Sequence, residues 1–412
     1  MQDVIEKAGN SLNLDQSHWQ LVKFGDVAIQ QKQSVDRENT ELTRYVKGEH
    51  MGSEDLHLRK WGELADEYLG PAFIRKFEDG DILYGSRRTY LRKVVIAPFD
   101  GITSNTTFVI KANEDKIDRR LLPFVMLSEG FAQHSIRNSK GSVNPYVNWK
   151  DLAGYEFLLP PKAQQAELAE LLWALDEVVE LQLEIGEKLT DRLHMEIESR
   201  IHGLELAGLT INQAIGKLSA RIAVHPLSNL GEIFKGKGIR KSEVMDAGVP
   251  CVRYGELYTQ HHRIIREFSS FISEDSAGKS VKIQPNDILF AGSGETIAEI
   301  GKSAAYVGQK EAYAGSDIVI FRPADNSMDG AYLGYLMNSI FVRQQLNKLG
   351  TGATVMHIYT PEIGSVRIPV RPKHEQISIR RSLEEIYKNI RLAEAKRLRS
   401  QMLLKTLINQ IF

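Results

Sequence analysis

The chain is written twice, and that constrains its fold more than any other feature. Residues 141–165, GSVNPYVNWKDLAGYEFLLPPKAQQ, lie over residues 352–376, GATVMHIYTPEIGSVRIPVRPKHEQ, without a gap at an offset of 211. Gly141 meets Gly352, Asp151 meets Glu362, Pro161-Lys162 meets Pro372-Lys373, and Gln165 meets Gln376. Upstream, GDILYG (80–85) lies over NDILFA (286–291), and KFGDV (23–27) over NLGEI (229–233), both at an offset of 206. Copy two therefore gains five residues between Leu289 and Asp317. Such a chain builds one structural unit twice, and each copy must bury its own apolar face.

Each copy has two parts. The first is a mixed region in which β-branched and aromatic runs (KVVIAPF, TFVIK, YEFLLP, DIVIF, SVRIPV) alternate with Gly, Asn and Asp turns. Helical stretches such as RRLLPFVMLSEGFAQHSI and DGAYLGYLMNSIFVRQQLNKL interrupt them. The second part is a long helix. Residues 163–201 follow Pro160-Pro161 and run to Ile201 without a proline, and residues 374–411 follow Pro372. Leu168, Leu171, Leu175, Val178, Ile185 and Leu189 fall on one heptad seam of the first helix, with Gln182 interrupting. Leu383, Ile386, Ile390, Ala393, Leu404, Leu407 and Ile411 do so in the second, with Arg397 and Ser400 as its polar members. Seams of this kind mark a coiled coil. Each helix is roughly 58 Å long at 1.5 Å per residue. The duplicated plan favours an antiparallel pair. The expected fold is mixed α/β: two duplicated α+β domains separated by two long helices pairing as an antiparallel coiled coil. The expected divisions are 1–162, 163–202, 203–226 (a hinge), 227–373 and 374–412. Residues 1–17 have no clear counterpart in copy two.

The 412 residues are 42% hydrophobic and 25% charged, an ordinary globular balance. No run of 18 apolar residues exists, so no membrane span is expected. The N-terminal stretch lacks the basic start and apolar run of a signal peptide. Cys251 is the lone cysteine, which excludes a disulfide framework and a thiolate metal cluster. A cytoplasmic location is expected. Lys plus Arg number 52 and Asp plus Glu 53, which argues mildly against nucleic acid. The cations cluster, however. YGSRRTYLRK (84–93) and FKGKGIRK (234–241) contain no acid, and they are read as lying at corresponding edges of the two copies.

AGSGETIAEIGKSAAY (291–306) imitates a nucleotide loop but fails on spacing. A phosphate loop needs glycine five residues before Gly301, where Thr296 stands. The dinucleotide fingerprint needs glycine where Ile297 stands. The stretch falls where the copies differ in length, so it reads as a loop between strands. NPYV (144–147) lacks the second proline of the amino-methyltransferase motif, and no Gly-rich cofactor loop accompanies it. Glu114 and Lys116 of a nuclease-like pattern lie in a polar turn and have no counterpart in copy two. Zinc ligands and a Gly-x-Ser-x-Gly elbow are missing. No metal site is expected.

The plan resembles the specificity subunit of type I restriction-modification enzymes over nearly the whole chain. The matching pieces are LGEIFKGKGIRKSEV and GVPCVRYGELYT, the GDIL and NDIL strands, and the leads LPPKAQQAEL and RPKHEQISI into the long helices. The resemblance implies two target-recognition domains and a subunit with no catalysis of its own. It implies binding to double-stranded DNA and to two methyltransferase subunits through the paired helices, and assembly with restriction/translocase subunits. S-adenosylmethionine, ATP and Mg would be used by those partners, and this subunit would need no cofactor. It would direct them to an asymmetric bipartite DNA site, one half-site per recognition domain.

Candidate DNA-binding residues in copy one are Arg87, Arg88, Tyr90, Arg92 and Lys93, with Asn138, Lys140 and Ser142 before the long helix. In copy two they are Lys235, Lys237, Arg240 and Lys241 for phosphate, Ser293, Glu295 and Thr296 for base edges, Arg253 facing either the groove or the core, and Lys302. Thr351 and Thr354 precede the second helix. Arginine is the commonest reader of guanine, through O6 and N7. Solvated loops and plain turns are the competing reading for these segments. The competing function is a duplicated coiled-coil adaptor that binds protein or glycan, which the near-neutral charge favours.

Overall fold

A computed structural model describes residues 14–36, 39–203, 206, 208–352 and 356–412. The chain divides into two compact units, residues 1–184 with 393–412, and residues 185–392.

Unit one contains head one. Its first sheet has the order Ala28–Gln31, Thr107–Ala112, Ile82–Gly85, Val94–Ile96, antiparallel throughout. Its second sheet has the order Gly62–Glu63, Arg44–Val46, Gly101–Ser104, Phe73–Phe77, with one parallel pairing between Arg44–Val46 and Gly101–Ser104. The first sheet is buried on both faces. Ile82, Tyr84, Val94 and Ile110 point into a core with Phe24, Phe124 and Phe131, while Leu83, Val95 and Val109 point into a second core with Val46 and Phe77. Side chains alternate faces along a strand, so a sheet covered on both sides reads as the unbroken apolar runs noted above.

Unit two contains head two and repeats the plan. Its first sheet is Gly231–Lys235, Ile318–Pro323, Ile288–Ala291, Ser303–Tyr306, and Arg263–Ile265 joins parallel as a fifth strand. Head one has a single parallel bridge there, His57 to Ile96. The second sheet, Ser270–Ile272, Val249–Val252, Ala312–Ala314, Val281–Ile283, has the same single parallel pairing as in head one.

A buried glutamine fixes each entry into a long helix. Gln165 Oε1 accepts from the Asp118 N–H at 2.7 Å, and its amide donates to the carbonyls of Pro160 and Lys116 at 2.8 and 3.2 Å. Gln376 Oε1 accepts from the Asp329 N–H at 2.8 Å, and its amide donates to Arg371 and Ser327 at 2.7 and 3.1 Å. All four positions keep the offset of 211.

The long helices are Lys162–His202 and Lys373–Ile411. In unit one, Leu168, Ala169 and Leu172 at the start of helix one share a core with Leu404, Leu407, Ile408 and Ile411 at the end of helix two. In unit two, Leu193, Ile197 and Ile201 at the end of helix one share a core with Leu383 and Ile386 near the start of helix two. The pairing is therefore antiparallel, and the fold is the duplicated mixed α/β arrangement expected. The end of each long helix also serves a head. Asn409 Oδ1 accepts from the Glu129 N–H, the first residue of the helix Glu129–Arg137, at 2.7 Å. Glu198 Oε1 does the same for Ile340, the first residue of Ile340–Leu349, at 2.7 Å.

Two expectations need correction. The buried stripe of helix one is Leu168, Ala169, Leu172, Asp176 and Val179, then Leu193, Ile197 and Ile201. Leu175 and Leu189 are half-buried, and Leu171, Val178 and Ile185 are 37%, 41% and 43% exposed. Helix one is apolar on two adjacent stripes. In unit one it must serve both the head and helix two, which rotates the buried stripe onto the 169/172/176 edge. The hinge expected at 203–226 is folded into head two. Ile211–Ser219 is a helix with a Thr210/Gln213 capping box, its Ala214 and Leu218 lie in the core beside Ile201, and Val224–Pro226 pairs with Arg367–Pro369. Of residues 1–17, only 14–17 are described, and Leu14 packs on the core of head one. Among the described residues, no helix is long and apolar enough to cross a membrane.

Candidate nucleic-acid interface

In head one the backbone knits three loops into a small ribbon. The Ser86 N–H and hydroxyl both donate to the Thr106 carbonyl, at 3.2 and 2.6 Å, and the Val147 N–H donates to the Ser86 carbonyl at 3.0 Å. Beyond that anchor Arg87 pairs with Tyr146, and Tyr146 exchanges two bonds with Lys140 at 2.8 and 2.9 Å. The Arg88 N–H donates to Pro145 at 2.6 Å, and its Nε donates to Asn144 Oδ1 at 2.9 Å.

Head two builds the same ribbon from the corresponding positions. The Gly292 N–H donates to Asp317 at 2.8 Å, and the Ile358 N–H to Gly292 at 3.1 Å. Ser293 pairs with His357, and His357 exchanges two bonds with Thr351 at 3.0 and 2.7 Å. A Cβ on Gly292 would stand 2.9 Å from the Asp317 carbonyl oxygen. At the corresponding position of head one, Ser86 turns that close approach into a hydrogen bond. The loops singled out on sequence alone thus come together, 86–93 with 138–147 and 292–302 with 351–352 and 356–358.

The side chains on the ribbon differ. Arg87, Arg88 and Tyr90 are exposed. Arg88 and Arg92 take left-handed φ of 50° and 48° on either side of the single 3-10 turn Thr89–Leu91, which sets Tyr90 at its apex. Such backbone costs a non-glycine residue about 1–3 kcal/mol and is tolerated where surrounding contacts fix it. Here the Thr89 hydroxyl lies 2.7 Å from that of Ser139. Ser142 is exposed beside Val143, and Lys140 is exposed with its ammonium 3.1 Å from Asp151. In head two Glu295, Thr296 and Thr351 are exposed, and the N–H groups of Glu295 and Thr296 donate to Glu299 at 2.8 and 3.1 Å. Lys237, Arg240 and Lys241 are exposed around a turn in which Gly238 and Ile239 are left-handed. Lys235 lies 3.8 Å from Asp317, the residue whose carbonyl holds Gly292.

Several candidates are occupied within the fold. Arg92 is 18% exposed and joins Glu54 and Glu129, both at 2.6 Å. Lys93 donates to the Gly48 carbonyl. Asn138 is half-buried and donates to the His134 carbonyl at 2.8 Å. Ser293 is 6% exposed, with its hydroxyl 3.0 Å from His357 Nδ1. Arg253 and Lys302 are half-buried. Thr354 lies outside the described residues. The two basic runs do not occupy corresponding edges. Copy two matches 84–93 with the loop after Ile288–Ala291, while 235–241 answers to residues 29–35 of copy one.

Tyr146, Asn144, His357 and Tyr359 were missed by the sequence reading. Tyr146 and Tyr359 are 44% and 53% exposed, and the His357 ring stacks on that of Tyr359 with centroids 6.2 Å apart. The available signal was the offset of 211, which puts one planar ring, Tyr146, over another, His357.

One group in head one has metal-like spacing. Ligand atoms of Asp55, His57 and Glu180 lie within 4.8 Å of one another. Arg59 fills that space, since it bonds Asp55 at 3.0 Å and Glu180 at 2.6 Å, and Asp176 holds His57 Nε2 at 2.8 Å. The Asp176 carboxylate raises the His57 pKa above its ordinary value. The cluster reads as a charged clasp between the loop 55–59 and helix one.

The family model for the type I restriction modification DNA specificity domain matches residues 16–191, which comprise head one and most of helix one. The type I restriction enzyme MjaVIII specificity subunit of Methanocaldococcus jannaschii is 22% identical over 389 residues, 89% of this chain and 86% of that protein. Over nearly its whole length the chain is thus similar to a type I specificity subunit, and its first half matches the DNA specificity domain. The EcoDI specificity subunit of Escherichia coli is 28% identical over 179 residues, which cover 40% of this chain and 37% of that one. Two solved structures share the fold of this chain. A chain from a type I restriction-modification system has a TM-score of 0.57 at 18% identity, covering 95% of this chain and 97% of that one. The type I system S subunit from M. genitalium has a TM-score of 0.58 at 12% identity, covering 98% and 97%.

Proposed function

We propose that this chain is the non-catalytic DNA-reading subunit of a type I restriction-modification assembly, each head reading one half of an asymmetric bipartite site. One observation carries the reading. Both heads build the same ribbon from corresponding residues, yet set different side chains on it: Arg87, Tyr146 and Lys140 against Ser293, His357 and Thr351. A shared frame with different side chains suits two half-sites of different sequence. Arg87 offers the bidentate donor geometry that matches guanine, worth roughly 1–3 kcal/mol of discrimination. Lys237, Arg240 and Lys241 offer exposed charge to phosphates, which fixes position without reading sequence.

The chain would present two methyltransferase subunits to double-stranded DNA through its paired helices, and restriction/translocase subunits would join that complex. It needs no cofactor itself. S-adenosylmethionine, ATP and Mg belong to the partners' chemistry. It acts in the cytoplasm, where the reducing conditions suit a single buried thiol. The test is DNA binding by the complex co-expressed with the neighbouring methyltransferase, measured against salt. Affinity should fall steeply as salt rises, because each neutralised phosphate releases counterions. Arg87→Ala should lower discrimination at one position, and Lys237→Ala should reduce the salt slope by about one. Partner binding that ignores salt would instead favour a protein or glycan adaptor.

A further inference from the structure

Head one sets an apolar side chain at the tip of a basic loop. Val143 is 83% exposed, more than any other large apolar side chain among the described residues. It stands at the end of the short hairpin that Lys140 and Tyr146 close with two backbone bonds at 2.8 and 2.9 Å. Gly141 turns the chain there with a positive φ of 93°. The neighbouring loop braces the tip. The Arg88 N–H donates to the Pro145 carbonyl at 2.6 Å, and Arg88 Nε donates to Asn144 Oδ1 at 2.9 Å. The same two loops bear Tyr90 and Tyr146, 53% and 44% exposed. One exposed apolar residue is ordinary, but three on two loops knitted together mark a contact surface.

The surroundings of the tip select what it touches. Arg87, Arg88, Arg137 and Lys140 are exposed on these loops, and residues 84–93 and 137–148 contain no acid. Cations in that number suit phosphates. Among the base edges of the major groove, the apolar group on offer is the 5-methyl of thymine. Valine suits that contact, because a β-branched side chain has little rotamer freedom to lose when it is pinned. At the offset of 211 copy two has Thr354, with a hydroxyl in place of one methyl.

We infer that Val143 is a specificity-determining residue of head one, which reads one thymine of its half-site through the 5-methyl group. This contact is made in addition to the guanine contact offered by Arg87. The half-site of head one is then defined at one position by apolar contact and not by a hydrogen bond. The inference rests on the DNA-reading function proposed above and deepens it.

The test uses the full chain co-expressed with the methyltransferase, and duplexes that carry its methylation motif. Each thymine in the half-site that changes on replacement of residues 19–160 is exchanged in turn for uracil. Uracil keeps the base pair and loses only the methyl group. At one position binding should weaken about fourfold, the effect of one methyl group taken out of water. Val143→Ser should bind the thymine duplex as weakly as the wild type binds the uracil duplex, with no difference between the two bases. Val143→Ile should keep the difference. Uracil in the other half-site should act alike on wild type and Val143→Ser. Both variants should keep the wild-type melting temperature, which separates reading from folding. A uracil effect that persists in Val143→Ser, or no sensitive thymine in that half-site, overturns the inference and leaves the DNA-reading function standing. A complex that binds all sequences alike overturns both. Weaker uptake of the methyltransferase by Val143→Ser, with the thymine preference intact, assigns the tip to a protein contact and also overturns the inference.

Discussion

Head one places Arg87, Tyr146 and Lys140 along the ribbon on which head two has Ser293, His357 and Thr351. Beneath those side chains the backbone bonds are the same, anchored at Ser86 in one head and Gly292 in the other. The buried glutamines Gln165 and Gln376 make the same three bonds. The two copies have therefore diverged in the side chains the ribbon carries and stayed alike in the backbone bonds and buried glutamines beneath them. An orphaned buried donor costs about 1–3 kcal/mol, whereas a surface side chain changes at almost no cost to stability. Divergence of that kind changes what is bound without changing how the head folds.

The junctions between head and helix also differ. In head one His57 and Arg59 engage Asp55, Asp176 and Glu180, and the clasp includes a titratable ring. In head two Arg266 lies 4.0 Å over the Tyr387 ring and 3.2 Å from Glu384.

The largest expected effect tests the sameness of the frames. Gln165→Ala and Gln376→Ala should each cost about 2–4 kcal/mol, since each removes three bonds and strands a buried N–H. Hydrogen exchange should show deprotection in head one alone for the first variant and in head two alone for the second. Spread of either effect to the other head would break the equivalence.

Next comes the division of labour among arginines of head one. Arg87→Ala should change sequence discrimination by about 1–3 kcal/mol at one half-site, with little change in melting temperature. Arg92→Ala should do the reverse. It should lower the stability of head one by about 1 kcal/mol, because its guanidinium serves Glu54 and Glu129, and leave discrimination unchanged.

The smallest effect separates the junctions by pH. A raised His57 pKa means that the folded state favours the protonated ring. Its contribution is fully present below the ordinary histidine value near ~6.5 and is lost as pH rises through the higher folded value. Exchange protection of residues 55–59 should fall across that window and become flat in His57→Asn. Residues 263–266 of head two should be unaffected by His57→Asn.

Much of this was legible in the sequence. The duplication, the long helices and their antiparallel sense follow from the offsets and from the prolines at 160–161 and 372. The inner seam of helix one was assigned one stripe away, because Leu168/Leu172 and Leu171/Val178 are both apolar rows and only the fold decides which faces inward. Arg92 and Ser293 look like readers in a linear string. Their partners, Glu54 and Glu129 for one and His357 for the other, lie 37 to 64 residues away and meet them only on folding. Segment 203–226 read as a hinge because its short helix and strand are amphipathic only toward head two.

The most direct measurement of the central claim is a methylome. The chain would be co-expressed with its methyltransferase, and host DNA read for N6-methyladenine by single-molecule sequencing. One asymmetric bipartite motif is predicted. Replacing residues 19–160 with those of another specificity subunit should change one half of that motif and leave the other half intact. A swap that alters both halves, or neither, would contradict the assignment of one half-site to each head.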